Sequence, residues 1–318
     1  MCRRDSAHCY LILTGTNINL ISKYSKWLSA HPLNGGVALA ISMLMPFSMI
    51  LSGATLTVLI LKASILKTLF QCLVAMMFLF VLGFFFNFGI VDIVTNGFLY
   101  WLPVICITLL FKKNSSFTLT VQLLSIISIL FLIYFFIVVG QPDIFWSEIL
   151  INFLTILSDN GLRDEALLIQ NQMNLIIEQI SSIIAVMIWS SYVFILAFGL
   201  NIYNSDESTP NSLDSFSDLN LGKYIAVFAA LCSLSLFFLD IYWLKNLTYM
   251  LLLFFWLQGL SVIHWLRGKR IIPRFFLVII YVLLPVFNVL IVMLLAVVGY
   301  TDAWFNFRSR IKQLKIKN

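Results

Sequence analysis

The side chains that could do chemistry in this chain are a few amides set inside long apolar runs. Gln258 is the deepest, with Gln122, Asn87 and Asn288 behind it. An amide in hydrocarbon is costly unless it meets protein, water or a ligand. Each of these residues therefore has two readings: an interhelical hydrogen bond, typically about 1 kcal/mol, or contact with a solute. Tyr281 joins them through its backbone, because Pro285 cannot donate to the carbonyl four residues earlier. Counting inward from the Arg267–Arg274 turn at about 1.5 Å per residue puts Gln258 roughly 12 Å deep on one helix and Tyr281 roughly 9 Å deep on the next. The freed carbonyl is thus expected beside Gln258, and a broken helix with an exposed carbonyl is how many transporters build a midplane site. The ligand-binding candidates are Gln258, Tyr281, Asn288 and Gln122. The competing reading is that Gln258 satisfies that carbonyl and locks the two helices together.

Enzymatic chemistry is not indicated. The chain has no H-E-x-x-H, G-x-S-x-G, P-loop or zinc spacing. Of its three histidines, His8 and His31 sit in a polar arm, and His264, between apolar residues and Arg267, reads as interfacial. Asp240 near Lys245 reads as a locally paired charge. The five cysteines are too scattered for a metal cluster, and Cys72, Cys106 and Cys232 lie in apolar runs as small hydrophobes. No metal or cofactor is expected. The net charge of +6 is gathered in an N-terminal arm, short links and a tail. That distribution suits an anionic membrane leaflet and argues against nucleic acid as a partner.

The elements that must hold these residues are membrane helices. A composition of 61% hydrophobic and 11% charged residues, with mean hydropathy +0.99, does not fit a water-soluble domain. The runs are long and unbroken, whereas a transmembrane barrel needs short alternating segments. The expected fold is all-α, a polytopic transmembrane bundle of about eight helices, with breaks at Pro46 and Pro285 considered. Residues 1–33 form a polar arm without a secretory signal, with Lys23, Lys26 and Trp27 as an interfacial collar. Membrane helices follow over 34–140, an acidic amphipathic segment over 141–180, further membrane helices over 181–300 with a flexible linker at 201–222, and a basic aromatic tail over 301–318. The run around Pro46 is either one kinked span or two half-helices turning back. Only the second puts the arm and Lys62–Lys67 on the cytoplasmic face together, as the positive-inside rule prefers. A hairpin turn is expected at Trp243–Asn246. The run around Pro285 is expected as one tilted span. Trp304 and Arg308, four apart on a continuing helix, would share a face and act with Arg310 and Lys312 as a lipid-surface anchor.

Two stretches carry a resemblance. Phe255-Trp256-Leu257-Gln258-Gly259-Leu260 leading to His264, with Gly299 and Asp302-Ala303-Trp304-Phe305-Asn306-Phe307-Arg308, resembles the C-terminal part of the YybS-like family of bacterial membrane proteins, a domain of unassigned function. The run from Pro46 to Leu61-Lys62 is similar to that family's N-terminal part. At Trp189-Ser190-Ser191 the chain departs from it, lacking the Arg-Trp-Trp-Gln sequence and the Pro-Gly-Gly loop of other members. The family is distantly similar to the substrate-binding membrane components of vitamin transporters, which implies a solute-binding role by analogy of fold.

The expectation from these residues is an inner (cytoplasmic) membrane, multi-pass protein that binds or passes a small solute, alone or beside a membrane or cytoplasmic protein partner. The alternative is a non-transporting scaffold. The two differ in their deep polar residues: open to water in a transporter, satisfied among themselves in a scaffold.

Overall fold

A computed structural model describes residues 20–86, 89–206, 213–286 and 288–311. Among the described residues the regular structure is all helical, with no strand. The helices are α1 (20–30), α2 (Pro32–Leu44), α3 (Ser48–Lys62), α4 (Ile65–Phe86), α5 (Ile90–Asn114), α6 (Phe117–Val139), α7 (Pro142–Asp159), α8 (Arg163–Asn171), α9 (Met173–Asn204), α10 (Gly222–Ser235), α11 (Tyr242–Gly268), α12 (Arg274–Val286) and α13 (Asn288–Phe305). Of these, α4, α6, α9 and α11 are long and apolar enough to cross a membrane. The chain divides into two compact units, the first of residues 1–120 and 191–215, the second of residues 121–190 and 216–318.

In the first unit the run around Pro46 is broken. Met45 is extended (φ −85°, ψ 154°), the conformation a following proline imposes, and Phe47 takes φ 61° before α3 begins. α2 and α3 are 13 and 15 residues long, about 20 Å each, well short of a hydrocarbon core of roughly 30 Å. The end of α3 returns to α1: the Lys62 ammonium donates to the Ser25 carbonyl at 2.9 Å and pairs with Asp206, and the Tyr24 hydroxyl meets Thr55 at 3.0 Å. Of the two readings of this run, the structure adopts the pair of half-helices turning back. The Lys112 ammonium donates to the Ile60 and Ala63 carbonyls at 2.7 and 3.1 Å, so Lys62 and Lys112 share one end of the unit. Leu39, Ala54, Leu56, Ala75 and Ile195 lie in its core. Asp92 falls within the first turn of α5.

The second unit corrects several boundaries. α9 runs without interruption through residue 180, because Ile176, Ile180 and the apolar residues after them keep one helical period. α10 stops at Ser235 and α11 starts at Tyr242, so the turn comes before Trp243–Asn246. Asn246 is inside α11 and fully buried, donating to the Glu178 carbonyl at 2.9 Å and accepting the Ser182 amide at 3.2 Å. A polar residue that resembles a turn in sequence is a tie between helices. Residues 213–221 are more than a linker. In the first unit the Asn204 side chain holds the backbone of Leu213 at both ends of its amide, at 2.9 Å each, and in the second Leu219 and Leu221 are core residues. Residues 207–212 of that segment lie outside the described residues.

The last apolar run is also divided, into α12 and α13, and it doubles back. Arg308 reaches the Ser261 hydroxyl at 3.4 Å, six residues from Arg267. A single span from Arg274 to Arg308 would carry it about 50 Å away. The expected single tilted span is therefore corrected. Two glycines make the return packing close. A Cβ on Gly259 would sit 1.9 Å from the Leu295 carbonyl oxygen, and one on Gly299 would sit 2.0 Å from that of Phe255.

Candidate functional site

The contact between α11 and α13 brings a buried ionic knot together. Gln258, at mid-helix and 0% exposed, accepts the Leu221 amide at 2.8 Å and donates to Asp302 Oδ2 at 3.0 Å. The same carboxylate oxygen takes Arg308 Nη2 at 2.8 Å. The guanidinium also donates to the carbonyls of Leu219 at 2.6 Å and Ser217 at 2.9 Å. Asp302 is itself 0% exposed and its Oδ1 has no hydrogen-bond partner among the described residues. A planar guanidinium serving one carboxylate and two carbonyls suits arginine and would not suit lysine. Gln122 of α6 holds the same segment, donating to the Asn220 carbonyl at 2.9 Å, so both deep glutamines bind the backbone of Asn220 and Leu221.

Gln258 and Tyr281 do not meet as expected. The glutamine's polar atoms are taken by Leu221 and Asp302, and the Tyr281 hydroxyl pairs with His264 Nε2 at 2.8 Å. Asn288 opens α13, and its side chain, like Asn87 and Lys312, lies outside the described residues. The expected surface anchor is corrected at Arg308. Asn306 takes φ 47° and ends the helical register that would have set Arg308 beside Trp304, and Asp302 draws the guanidinium inside. Trp304 is partly exposed and stacks edge-on against Tyr300 at 6.1 Å. Arg310 stays at the surface, 6.0 Å from the Phe305 ring.

A second polar feature lies where α11 turns into α12. A cavity of about 740 Å³ is lined by His264, Arg267, Gly268, Arg270, Ile271, Ile272, Pro273 and Arg274. Arg270 adopts φ 57° at the helix end, which turns the chain between two basic positions. Arg267, Arg270 and Arg274 make no ion pair among the described residues. His264 of this lining pairs with the Tyr281 hydroxyl, and Phe216 packs edge-on against the imidazole at 5.5 Å. Such a groove attracts anions and offers arginine forks that match phosphate or carboxylate oxygens. No cluster of histidine, cysteine or acidic residues suited to a metal occurs among the described residues.

Comparisons with protein-family models, with curated proteins and with solved structures find no match.

Sequence reasoning missed Asp302 as the partner of Gln258 and missed the His264–Tyr281 pair. A signal was present for the first: an acid and an arginine bracket the end of an apolar run, and an ionisable residue at such depth needs a partner. Gln258, Gly259, Gly299, Asp302 and Arg308 build the knot and its close helix contact.

Proposed function

We propose that this chain is a multi-pass protein of the inner (cytoplasmic) membrane that binds a small anionic solute at the arginine groove and does not pass it through its interior. One contrast carries the reading. Within the second unit the two deep glutamines, Gln122 and Gln258, are occupied by backbone groups of Asn220 and Leu221 and by Asp302, whereas the groove arginines open onto a cavity. A solute path needs free polar groups at depth, and a binding site needs them at an accessible surface. Resemblance to the YybS-like family, with its likeness to solute-binding transporter components, points to the same class.

In the membrane, α4, α6, α9 and α11 make full crossings and α5 brings the chain back to the end that α4 left. The pairs α2–α3 and α12–α13 enter and leave by one face, which replaces some of the eight expected crossings. α11 supports the orientation: it is 27 residues long, about 40 Å, with Asp240 and Glu178 around its start and Arg267 at its end. The arginine end is cytoplasmic under the positive-inside rule.

The test is thermal unfolding of the purified full chain with pyrophosphate, citrate and neutral solutes of similar size. The anions should raise the midpoint, and Arg270→Gln with Arg274→Gln should abolish the rise. Stabilisation by a neutral solute that Gln258→Leu removes would place the site in the interior and overturn the reading.

A further inference from the structure

The arginine groove does not stand alone on its surface. α12 leaves directly from it and carries Phe275, Val278 and Val282 exposed at 71%, 55% and 61%. These residues are three and four apart, so they share one face of the helix. A cationic pocket thus continues into an uncovered apolar strip one helix long. Its occupant must be anionic at one end and hydrocarbon along the rest. We propose that the groove is a phospholipid site: an anionic phosphodiester headgroup held by Arg267, Arg270 and Arg274, with an acyl chain laid along Phe275, Val278 and Val282. This rests on the anion-binding reading of the groove and names its ligand.

The chemistry divides between the two ends. Each guanidinium can present two parallel donors to phosphate oxygens, and basic pockets at the cytoplasmic ends of membrane helices are where anionic headgroups bind. His264 and the Tyr281 hydroxyl, paired at 2.8 Å, supply polar groups at the depth of the glycerol ester. The groove residues make no ion pair among the described residues, so binding does not have to break an existing one. A zwitterionic lipid brings its own cation into the same pocket and is disfavoured by like charge.

The experiment uses the full chain in detergent, with thermal unfolding read against added dioleoylphosphatidylglycerol, dioleoylphosphatidylcholine or soluble glycerol 3-phosphate, and native mass spectrometry of each mixture. Phosphatidylglycerol should raise the midpoint by a few degrees over phosphatidylcholine and give a one-lipid adduct. Both effects should be lost in the Arg270→Gln, Arg274→Gln double variant, whose side chains are exposed and whose unliganded midpoint should be unchanged. If that variant does unfold early, Val278→Ser and Val282→Ser should still weaken the lipid effect and leave the smaller response to glycerol 3-phosphate unchanged. Equal stabilisation by glycerol 3-phosphate and by phosphatidylglycerol would overturn the lipid assignment and leave the anion site standing. Equal stabilisation of wild type and arginine variant by phosphatidylglycerol would show micelle charge alone and overturn it as well. No response to any anion would remove both readings.

Discussion

Arg308 and Asp302 show how much one carboxylate can organise. Asp302 is fully buried and the Arg308 side chain is 9% exposed, so the pair has little water to screen it. Removing one partner leaves the other charge buried without compensation, which costs about 3–5 kcal/mol. Arg308→Gln is therefore expected to lower stability by that order, and the Arg308→Met, Asp302→Leu double variant by clearly less, in unfolding titrations of the full chain. A double variant as damaged as the sum of the singles would deny the coupling. Gln258→Leu strips a partner from the Leu221 amide and from Asp302 together. It should cost about 1–3 kcal/mol without altering the anion response of the groove, and loss of that response would return the solute to the interior.

At the scale of elements, the glycines of α11 and α13 act by what they lack. With Cβ positions 1.9 and 2.0 Å from backbone oxygens, alanine at either site has no flexible neighbour to displace, so the helices must separate. Gly259→Ala and Gly299→Ala should each destabilise by about 1–3 kcal/mol or more. Gly268→Ala, where nothing lies within 4 Å of the added carbon, should stay within about 0.5 kcal/mol. Equal midpoints for Gly268→Ala and Gly259→Ala would contradict the close packing. The half-length helices make a different prediction. Phe47 at the tip of α2–α3 is 80% exposed, which is tolerable in lipid and expensive in water. Cysteines at positions 23 and 67 should label from one side with an impermeant maleimide, while one at position 47 should be shielded from both. Labelling of 23 and 67 from opposite sides would mean that the run crosses.

For the whole chain, charge is the feature that sorts. In the second unit Asp240, at the start of α11, is strongly exposed, and the arginine turn is at the far end of the same helix. Cysteines at positions 274 and 310 should therefore react from the same side and one at position 240 from the other. If 310 reacts with 240, the return of α13 toward the Arg267 turn is wrong. The mixed and acidic surface of α7 and α8, with Asp143, Glu148, Asp164 and Glu165 exposed, fits the aqueous edge opposite the arginines, since an anionic leaflet would repel it.

What the sequence determined by itself is local in origin. Helix length, apolar content and the disturbance that proline imposes are properties of neighbouring residues, so the all-α class and the long apolar helices could be read directly, and Pro46 could be read as a kink or a break without deciding which. That Gln258 lies well inside its helix, away from the basic turn, could be read too. Its partner could not, because Asp302 lies 44 residues away and hydropathy sums along the chain without reporting which helices face each other. The same limit placed Arg308 on the surface: a basic tail resembles an anchor until a buried carboxylate and two carbonyls are found waiting for it. It also made residues 213–221 look like a linker, although they bury Leu219 and Leu221 and feed the knot. Only the tertiary structure decided these points, because pairing energies depend on which groups meet through space once the backbone has chosen its turns.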